Sequence, residues 1–309
     1  MTSATNPAAP DQLRRRGRPT PERAPATEPL VPRRHFIRTA LAIVVGVYLI
    51  AIVHSLITNE RFNWPVVGRY LFDPLVLGGV LNTILLTVLA MVFGLLLAFF
   101  VAQFALSASR LLRAAALVFV WLFRSVPLLV LLLLLYNIGA LYEFIPVGVP
   151  FGPAIIELPT TGISAFAVAV IAFAFHEAAY SSEIIRASIQ SVPRGQAEAA
   201  MALGMSGSRT MVRIVLPSAI RVALPPLMNQ LIMMLKGTSI VAFIAFPDLL
   251  FSVQKIYTVN YEVMPLLVVA SIWYFILVST LTIVQQLIER RLARTTRRRG
   301  TAAAPAVTA

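Results

Sequence analysis

Long apolar runs dominate the pattern of this chain, and charged residues fall mainly between them. Six runs of span length occur, at 37–57, 76–106, within 111–142, between 157 and 177, at 224–246 and between 262 and 289. Apolar and polar residues do not alternate with a period of two inside these runs, so the strands of a membrane barrel fit poorly. Because a helix satisfies its own backbone hydrogen bonds, apolar runs of about 20 residues predict membrane-spanning helices.

The composition agrees with an all-α integral membrane protein. Of the 309 residues, 58% are hydrophobic and 13% are charged, and the mean hydropathy is +0.82. An ordinary soluble domain is about 25% charged, so a soluble enzyme or a disordered chain is a poor match. The chain has no cysteine, which excludes a disulfide scaffold, thiol catalysis and Cys-ligated zinc.

The net charge of +13 indicates how the chain is oriented in the membrane. Six spans place the segments between them alternately on the two sides of the membrane, and the basic residues can be counted on each side. The segments before the first run and after the second, fourth and sixth runs lie on one side of the membrane, and they hold 21 of the 26 Lys and Arg residues. Basic residues accumulate in cytoplasmic loops, so we expect both termini in the cytoplasm of a multi-pass protein of the plasma (cytoplasmic) membrane.

The basic tails have two other interpretations, and both are weaker. Arg33 and Arg34 resemble a twin-arginine export signal, but the following run is span-length and no small-x-small cleavage site follows it. The arginines lack interleaved aromatic residues, which argues against nucleic acid as a partner. We therefore predict a disordered basic cytoplasmic tail at 1–35, an extra transmembrane helix at 36–58 and a basic cytoplasmic tail at 289–309, disordered from about 293.

One cytoplasmic loop, 191–217, has the composition of an ordered segment. Pro193 interrupts the helix that leaves the fourth run, and 196–203 then predicts a short helix. Gly204 permits the positive φ of a helix stop, and Ser206 or Ser208 can cap a second short helix that ends before Pro217. Two short helices joined at a glycine predict a compact protrusion on the inner face of the membrane.

This protrusion carries a motif that identifies a family. The residues Glu198-Ala199-Ala200-x3-Gly204-x9-Ile214-x-Leu216-Pro217 match the EAA loop of the integral membrane subunits of bacterial ABC importers. Neighbouring segments resemble the polar amino-acid permease branch of that family: Phe123-Arg124-Ser125-Val126-Pro127-Leu128-Leu129, Ala179-Tyr180-x2-Glu183-Ile184-x-Arg186 and Leu235-Lys236-x-Thr238-Ser239. The resemblance covers about 78–288.

The resemblance implies a type I ABC importer permease fold, with a five-helix core and here one added N-terminal helix. It implies ATPase coupling through eight residues of the loop: Gly195, Glu198, Ala199, Ala200, Gly204, Ile214, Leu216 and Pro217. The implied partners are ABC ATPase subunits, a second permease that is identical or paralogous, an extracellular or periplasmic solute-binding protein and a polar amino-acid substrate. No cofactor is expected in this chain; ATP and Mg would be bound by the partner ATPase, since the chain has no G-x4-G-K-[ST] loop.

Charged residues within the apolar runs need a reason, because each costs on the order of 3 kcal/mol in the middle of a bilayer. Six polar residues are candidates for a substrate path or gate: Arg124, Glu177, Asn229, Lys236, Thr238 and Ser239. The alternative for each is structural, as a residue that snorkels to the interface or bonds within the bundle. His176 has no second histidine or cysteine nearby, so we expect a hydrogen-bonded structural residue and no metal site. Gly78, Gly79 and Gly94 are expected to allow close helix packing.

Three classes of function remain distinguishable from sequence. The leading hypothesis is the permease subunit of an ATP-driven importer, without an ATPase or hydrolytic site of its own. An ion- or proton-coupled secondary transporter would instead use the intramembrane charges, but the two halves show no inverted repeat. A structural or receptor-like membrane protein would leave the ordered cytoplasmic loop without a role.

Overall fold

The computed structural model describes residues 36–148, 154–160 and 162–301, and it divides into two units between Thr58 and Asn59. Helix α1 (Phe36–Thr58) is the described part of the first unit. Its stretch Arg38–Thr58 is long and apolar enough to cross a membrane. The predicted tail at 1–35 and the end of the C-terminal tail, 302–309, lie outside the described residues.

The second unit is a helical bundle with a small β-hairpin. Its first half contains a 3-10 turn (Glu60–Phe62), α2 (Trp64–Tyr70), α3 (Pro74–Ala105), α4 (Arg110–Ser125), α5 (Leu128–Tyr136), a 3-10 turn (Ile138–Ala140), β1 (Phe144–Gly148), β2 (Ala154–Pro159) and α6 (Ala165–Gln190). Its second half contains α7 (Arg194–Ala202), α8 (Gly207–Thr210), a π-helical segment (Met211–Val215), α9 (Leu216–Gly237), a 3-10 segment (Thr238–Ile244), α10 (Leu249–Asn260) and α11 (Val263–Thr301).

The described residues hold five helices able to cross a membrane, or six if a bent pair counts as one span. The pair is α4 and α5, which meet at 99°. Val126 adopts an extended conformation between them because a residue that precedes proline disfavours the helical region. The prediction of six spans is therefore confirmed in this form, with the third span broken at Val126 and Pro127.

Two predicted boundaries were wrong. The fourth span is Ala165–Gln190 and not the charge-free interval, so it contains Glu177, Glu183 and Arg186. Glu183 and Arg186 form an ion pair of 2.7 Å along the helix, which reduces the cost of placing both charges there. Helix α11 continues to Thr301, so the backbone is helical where we expected disorder from about 293.

A β-hairpin between α5 and α6 adds to the predicted all-α architecture. Strands β1 and β2 pair antiparallel, with Phe144 opposite Pro159 and Ile145 opposite Leu158, and the register shifts at Gly148. The hydroxyl of Thr160 donates to the carbonyl oxygens of Tyr142 and Glu143, at 2.6 and 2.9 Å, and closes the base of the hairpin.

Helices α3 and α6 form the central pair of the bundle, and glycine sets their separation. A Cβ atom built on Gly94 would lie 2.8 Å from Cβ of Glu177 on α6. A Cβ on Gly79 would lie 2.7 Å from the carbonyl oxygen of Asp248, beside α10. The prediction of close packing is confirmed for these two glycines and is wrong for Gly78, which has no atom within 4 Å of such a Cβ.

The two largest of the four hydrophobic clusters among the described residues both include α3. Leu86, Leu132, Phe173 and Val241 belong to the first cluster, which joins α3, α5, α6 and the 3-10 segment after α9. The second joins α2, α3, α10 and α11. Asp248 caps α10 by accepting from the Phe251 amide at 2.9 Å, and Tyr274 of α11 donates to its other carboxylate oxygen at 3.3 Å. These bonds satisfy the polar groups where the chain breaks between α9 and α10.

Candidate functional site

A cavity of about 160 Å³ lies between α6 and α9, at the start of α5. Four of its lining residues are polar or ionisable, namely His176, Glu177, Tyr180 and Gln230, and the others are apolar residues and Gly237. A largely apolar cavity with a few polar groups is the usual form of a site for a small solute.

Glu177 is the buried carboxylate of this cavity. Only 4% of the residue is exposed, and the Ser181 hydroxyl, one helical turn along α6, donates a hydrogen bond to Oε1. Gly94 of α3 packs against its Cβ, which fixes the side chain between α3 and the cavity. No basic side chain pairs with Glu177 among the residues that the structure describes. The carboxylate is thus available to a cationic group that enters the cavity.

Arg124, Tyr180 and His176 form a stack at the same cavity. The guanidinium carbon of Arg124 lies 4.9 Å from the ring centroid of Tyr180, and the rings of Tyr180 and His176 lie 4.9 Å apart between centroids. Arg124 is exposed at the end of α4, before the bend to α5. The stack places a cation close to the cavity that holds Glu177, so opposite charges flank one small site.

The remaining candidates for the path do not join this cluster. Asn229 is exposed and accepts from Gln285 Nε2 at 3.0 Å, and Lys236 is exposed near the end of α9. Thr238 is fully buried and donates to the Leu235 carbonyl oxygen at 2.8 Å, while Ser239 donates to that of Lys236 at 3.1 Å. These contacts are compatible with a structural role. None of the four residues lines the cavity, although the neighbouring Gly237 does.

The second candidate site is the segment that follows α6. Helix α6 ends at Gln190, α7 begins at Arg194, and Gly204 has φ +81°, so the predicted break and glycine stop are confirmed. Ser206 caps the next helix by accepting from the Arg209 amide at 3.4 Å. That helix does not end before Pro217 as predicted; it continues through the π-helical segment into α9, because the wider turn accommodates the proline, which lacks an amide donor.

The predicted coupling residues divide between surface and interior. Gly195, Glu198, Ala199, Gly204 and Pro217 are exposed, Ile214 and Leu216 are half-buried, and Ala200 is buried. Apolar side chains beside them are also exposed, with Leu203 at 85%, Val212 at 58% and Met201 at 50%. An apolar patch with one acidic residue is a surface suited to a protein partner.

Sequence reasoning missed several members of these sites. Tyr180 and Gln230 were not assigned a role, and His176 was expected to be structural, yet all three line the cavity. The helical spacing of His176, Glu177 and Tyr180 placed them on one face of α6, which was a usable signal. Leu203 and Val212 could have been recognised as large apolar residues in a solvated loop.

No group of three or more His, Asp or Glu side chains that could hold a metal ion occurs within the part of the chain that the structure describes. The residues that line the cavity offer ionic, hydrogen-bond and aromatic contacts to a small solute.

Comparisons with known proteins bear on both sites. The profile of the family described as "Binding-protein-dependent transport system inner membrane component" matches residues 90–294, which include the cavity residues and the segment after α6. The chain is 37% identical over 265 residues to the arginine transport system permease protein ArgU of Corynebacterium glutamicum, covering 85% of this chain and 82% of the relative. It is 38% identical over 241 residues to the L-cystine transport system permease protein TcyB of Bacillus subtilis, covering 78% and 95%.

Solved structures give the same picture. An amino acid ABC transporter crystallised with histidines superimposes with a TM-score of 0.61 at 35% identity, covering 71% of this chain and 95% of that one. The MetNI methionine ABC transporter in an inward-facing form superimposes with a TM-score of 0.54 at 18% identity, which shows a shared fold.

Proposed function

Because this chain belongs to the family of binding-protein-dependent transport system inner membrane components, and is a permease subunit of an ABC importer, we propose that it moves a polar amino acid into the cytoplasm. It is a multi-pass inner-membrane protein with the type I importer permease fold. It is a transport component, and in this family ATP hydrolysis belongs to a separate subunit. The comparisons give no support to a secondary transporter.

The buried carboxylate of Glu177 is the observation that supports an amino-acid substrate most directly. A protonated α-amino group entering the cavity finds a carboxylate that has no ion-pair partner among the described residues, and a charge-assisted hydrogen bond of this kind is worth about 1.5–3 kcal/mol. Arg124, stacked on Tyr180 at the same cavity, offers a counter-charge for a substrate carboxylate. The names of the relatives point the same way, because they specify arginine and L-cystine.

Helix α6 supplies the mechanical link between the cavity and the ATPase. The 14 residues from Glu177 to Gln190 span about 20 Å of unbroken helix, and the loop 191–217, which we call the coupling segment, follows directly. A displacement of α7 driven by the ATPase therefore reaches the wall of the cavity through one rigid element. We propose that this displacement alternates the access of the cavity between the two sides of the membrane, with Arg124 and Glu177 as path or gate residues.

The assembly required is larger than this chain. We propose that the exposed surface of Glu198, Ala199 and Leu203 docks on an ABC ATPase subunit that binds ATP and Mg. A second permease, identical or paralogous, completes the path, and an extracellular or periplasmic solute-binding protein delivers the substrate. The asymmetry of basic residues supports an orientation with both termini and the coupling segment in the cytoplasm.

Reconstitution tests this proposal. The permease, its ATPase and its binding protein are placed in proteoliposomes, and uptake is measured for a panel of labelled amino acids with ATP inside. Uptake of at least one polar amino acid that requires ATP and persists when an ionophore collapses the membrane potential is expected. Uptake that needs no ATP and stops with the potential contradicts the proposal and favours the secondary transporter.

A further inference from the structure

A second cavity, of about 240 Å³, lies between α3, α6 and α9, apart from the cavity at Glu177. Its walls expose no nitrogen or oxygen atom of the described residues. Ala219 and Ala223 are buried on the α9 wall, at 3% and 6% exposure, while Phe99 and Ile220 are 39% and 52% exposed. Two small buried residues flanked by larger exposed ones describe a groove, which we call the α6–α9 groove.

The length of the groove matches one leaflet of a bilayer. Its lining on α9 runs from Leu216 to Leu227, and 11 residues of helix rise about 16 Å. Half of a hydrocarbon core of about 30 Å is about 15 Å. Since α9 begins at the cytoplasmic coupling segment in the orientation proposed above, on which this inference rests, the groove extends through the cytoplasmic leaflet.

A cation is available at the cytoplasmic end of the groove. Arg213 precedes the lining residue Leu216 by three residues and is exposed, and it makes no ion pair with any residue that the structure describes. A basic residue near an anionic lipid surface attracts that surface. The leaflet-length apolar groove and the exposed arginine that precedes its first α9 residue in sequence together provide the two features that a phospholipid with an anionic head group requires.

We infer that the α6–α9 groove binds one acyl chain of an anionic phospholipid from the cytoplasmic leaflet, with the head group at Arg213. The bound chain fills the space between α6 and the first half of α9. The π-helical segment Met211–Val215 precedes that half, and the Pro225–Pro226 pair within α9 follows it. The lipid therefore packs against the element that joins the coupling segment to the bundle.

Photolabelling of the whole complex tests the inference. The permease–ATPase complex is placed in nanodiscs that contain phosphatidylglycerol with a photoactivatable group on its acyl chain, and the labelled peptides are mapped by mass spectrometry. Label is expected on the α6 and α9 residues of the groove. Ala223→Phe displaces roughly two methylene groups of the lipid, which predicts about a tenfold loss of that label.

The control variant carries the same alanine-to-phenylalanine substitution on the same side of the membrane, outside the groove. Ala115→Phe changes an exposed alanine on α4 near the same side of the membrane, and it is expected to leave the groove label unchanged. If Ala223→Phe does not reach the membrane, Ile220→Gln places an amide on the exposed rim and is expected to reduce the label. Arg213→Gln is expected to abolish the preference for phosphatidylglycerol over phosphatidylcholine.

Equal labelling of the groove in the wild type, Ala223→Phe and Ile220→Gln would overturn the inference. A cross-link from Ile220→Cys to the second permease would also overturn it, because protein would then cover the groove. Accessibility of Leu203→Cys to a membrane-impermeant reagent reports the orientation separately. Failure of the lipid site and failure of the proposed topology are thereby distinguished.

Discussion

The guanidinium of Arg124 stacks on the ring of Tyr180 at 4.9 Å, joining the end of α4 to α6 beside the cavity that holds Glu177. An exposed cation–π contact contributes about 0.5–1 kcal/mol, which is too little for its loss to unfold the protein. If Arg124 meets the substrate or gates the path, Arg124→Ala reduces uptake far more than it reduces the amount of protein in the membrane.

Arg113, at the other end of α4, provides a matched control for Arg124. Arg113→Ala removes an exposed arginine from the other end of α4 and is expected to change neither quantity appreciably. An equal loss of uptake and of membrane abundance in Arg124→Ala would return Arg124 to a structural role.

Glu177 is expected to bind the amino group of the substrate. Glu177→Gln keeps a side chain that can bond to Ser181 but removes the charge, so uptake in proteoliposomes should fall by about tenfold or more. Ser181→Ala removes the internal hydrogen bond and leaves the charge, and it should have the smaller effect. Wild-type uptake by Glu177→Gln would exclude the ionic contact.

The close contact of α3 with α6 predicts a contrast between two glycines of one helix. Gly94→Ala places a methyl group 2.8 Å from the Glu177 Cβ and should lower the free energy of unfolding by about 1–3 kcal/mol. Gly78→Ala meets no atom within 4 Å and should be neutral or stabilising by up to about 1 kcal/mol. Thermal unfolding in detergent measures both, and equal melting temperatures would contradict the packing described.

The absence of cysteine makes the orientation directly measurable. Single-cysteine variants Leu203→Cys and Glu157→Cys place a thiol on the coupling segment and on β2, both of which are exposed. In intact cells a membrane-impermeant maleimide should label only Glu157→Cys, and Leu203→Cys should react only after permeabilisation. The reverse pattern would invert the topology.

Much of the fold could be predicted because its signals are local. Apolar runs gave the spans, and Gly204 marked a helix end whose positive φ the structure shows. The bend at Val126 also had a local signal in Pro127, which was recognised only as part of a motif. The hairpin at 144–159 was missed because Pro and Gly interrupt the alternation that predicts strands.

The cavity was harder to predict because it depends on helix rotation and on contacts between distant residues. Glu177 was proposed from its charge alone, whereas the stack of Arg124 on Tyr180 joins residues of two helices. Lys236 and Asn229 had the same polar signal as Glu177, yet α9 carries them away from the cavity. Polarity within a span therefore identified candidate residues. The packing of α3, α6 and α9 was needed to show which of these candidates line the cavity.

The segment around Glu198 and Gly204 is proposed to couple this permease to ATP hydrolysis. Glu198→Arg reverses the exposed charge, and Gly204→Asp forces a side chain into a backbone with φ +81°. Glu60→Arg makes the same charge reversal outside the segment and serves as the control. The decisive measurement is ATP-driven uptake in proteoliposomes at matched permease content. Both coupling variants are expected to lose uptake while Glu60→Arg retains it, and wild-type uptake by Glu198→Arg and Gly204→Asp would contradict the coupling role.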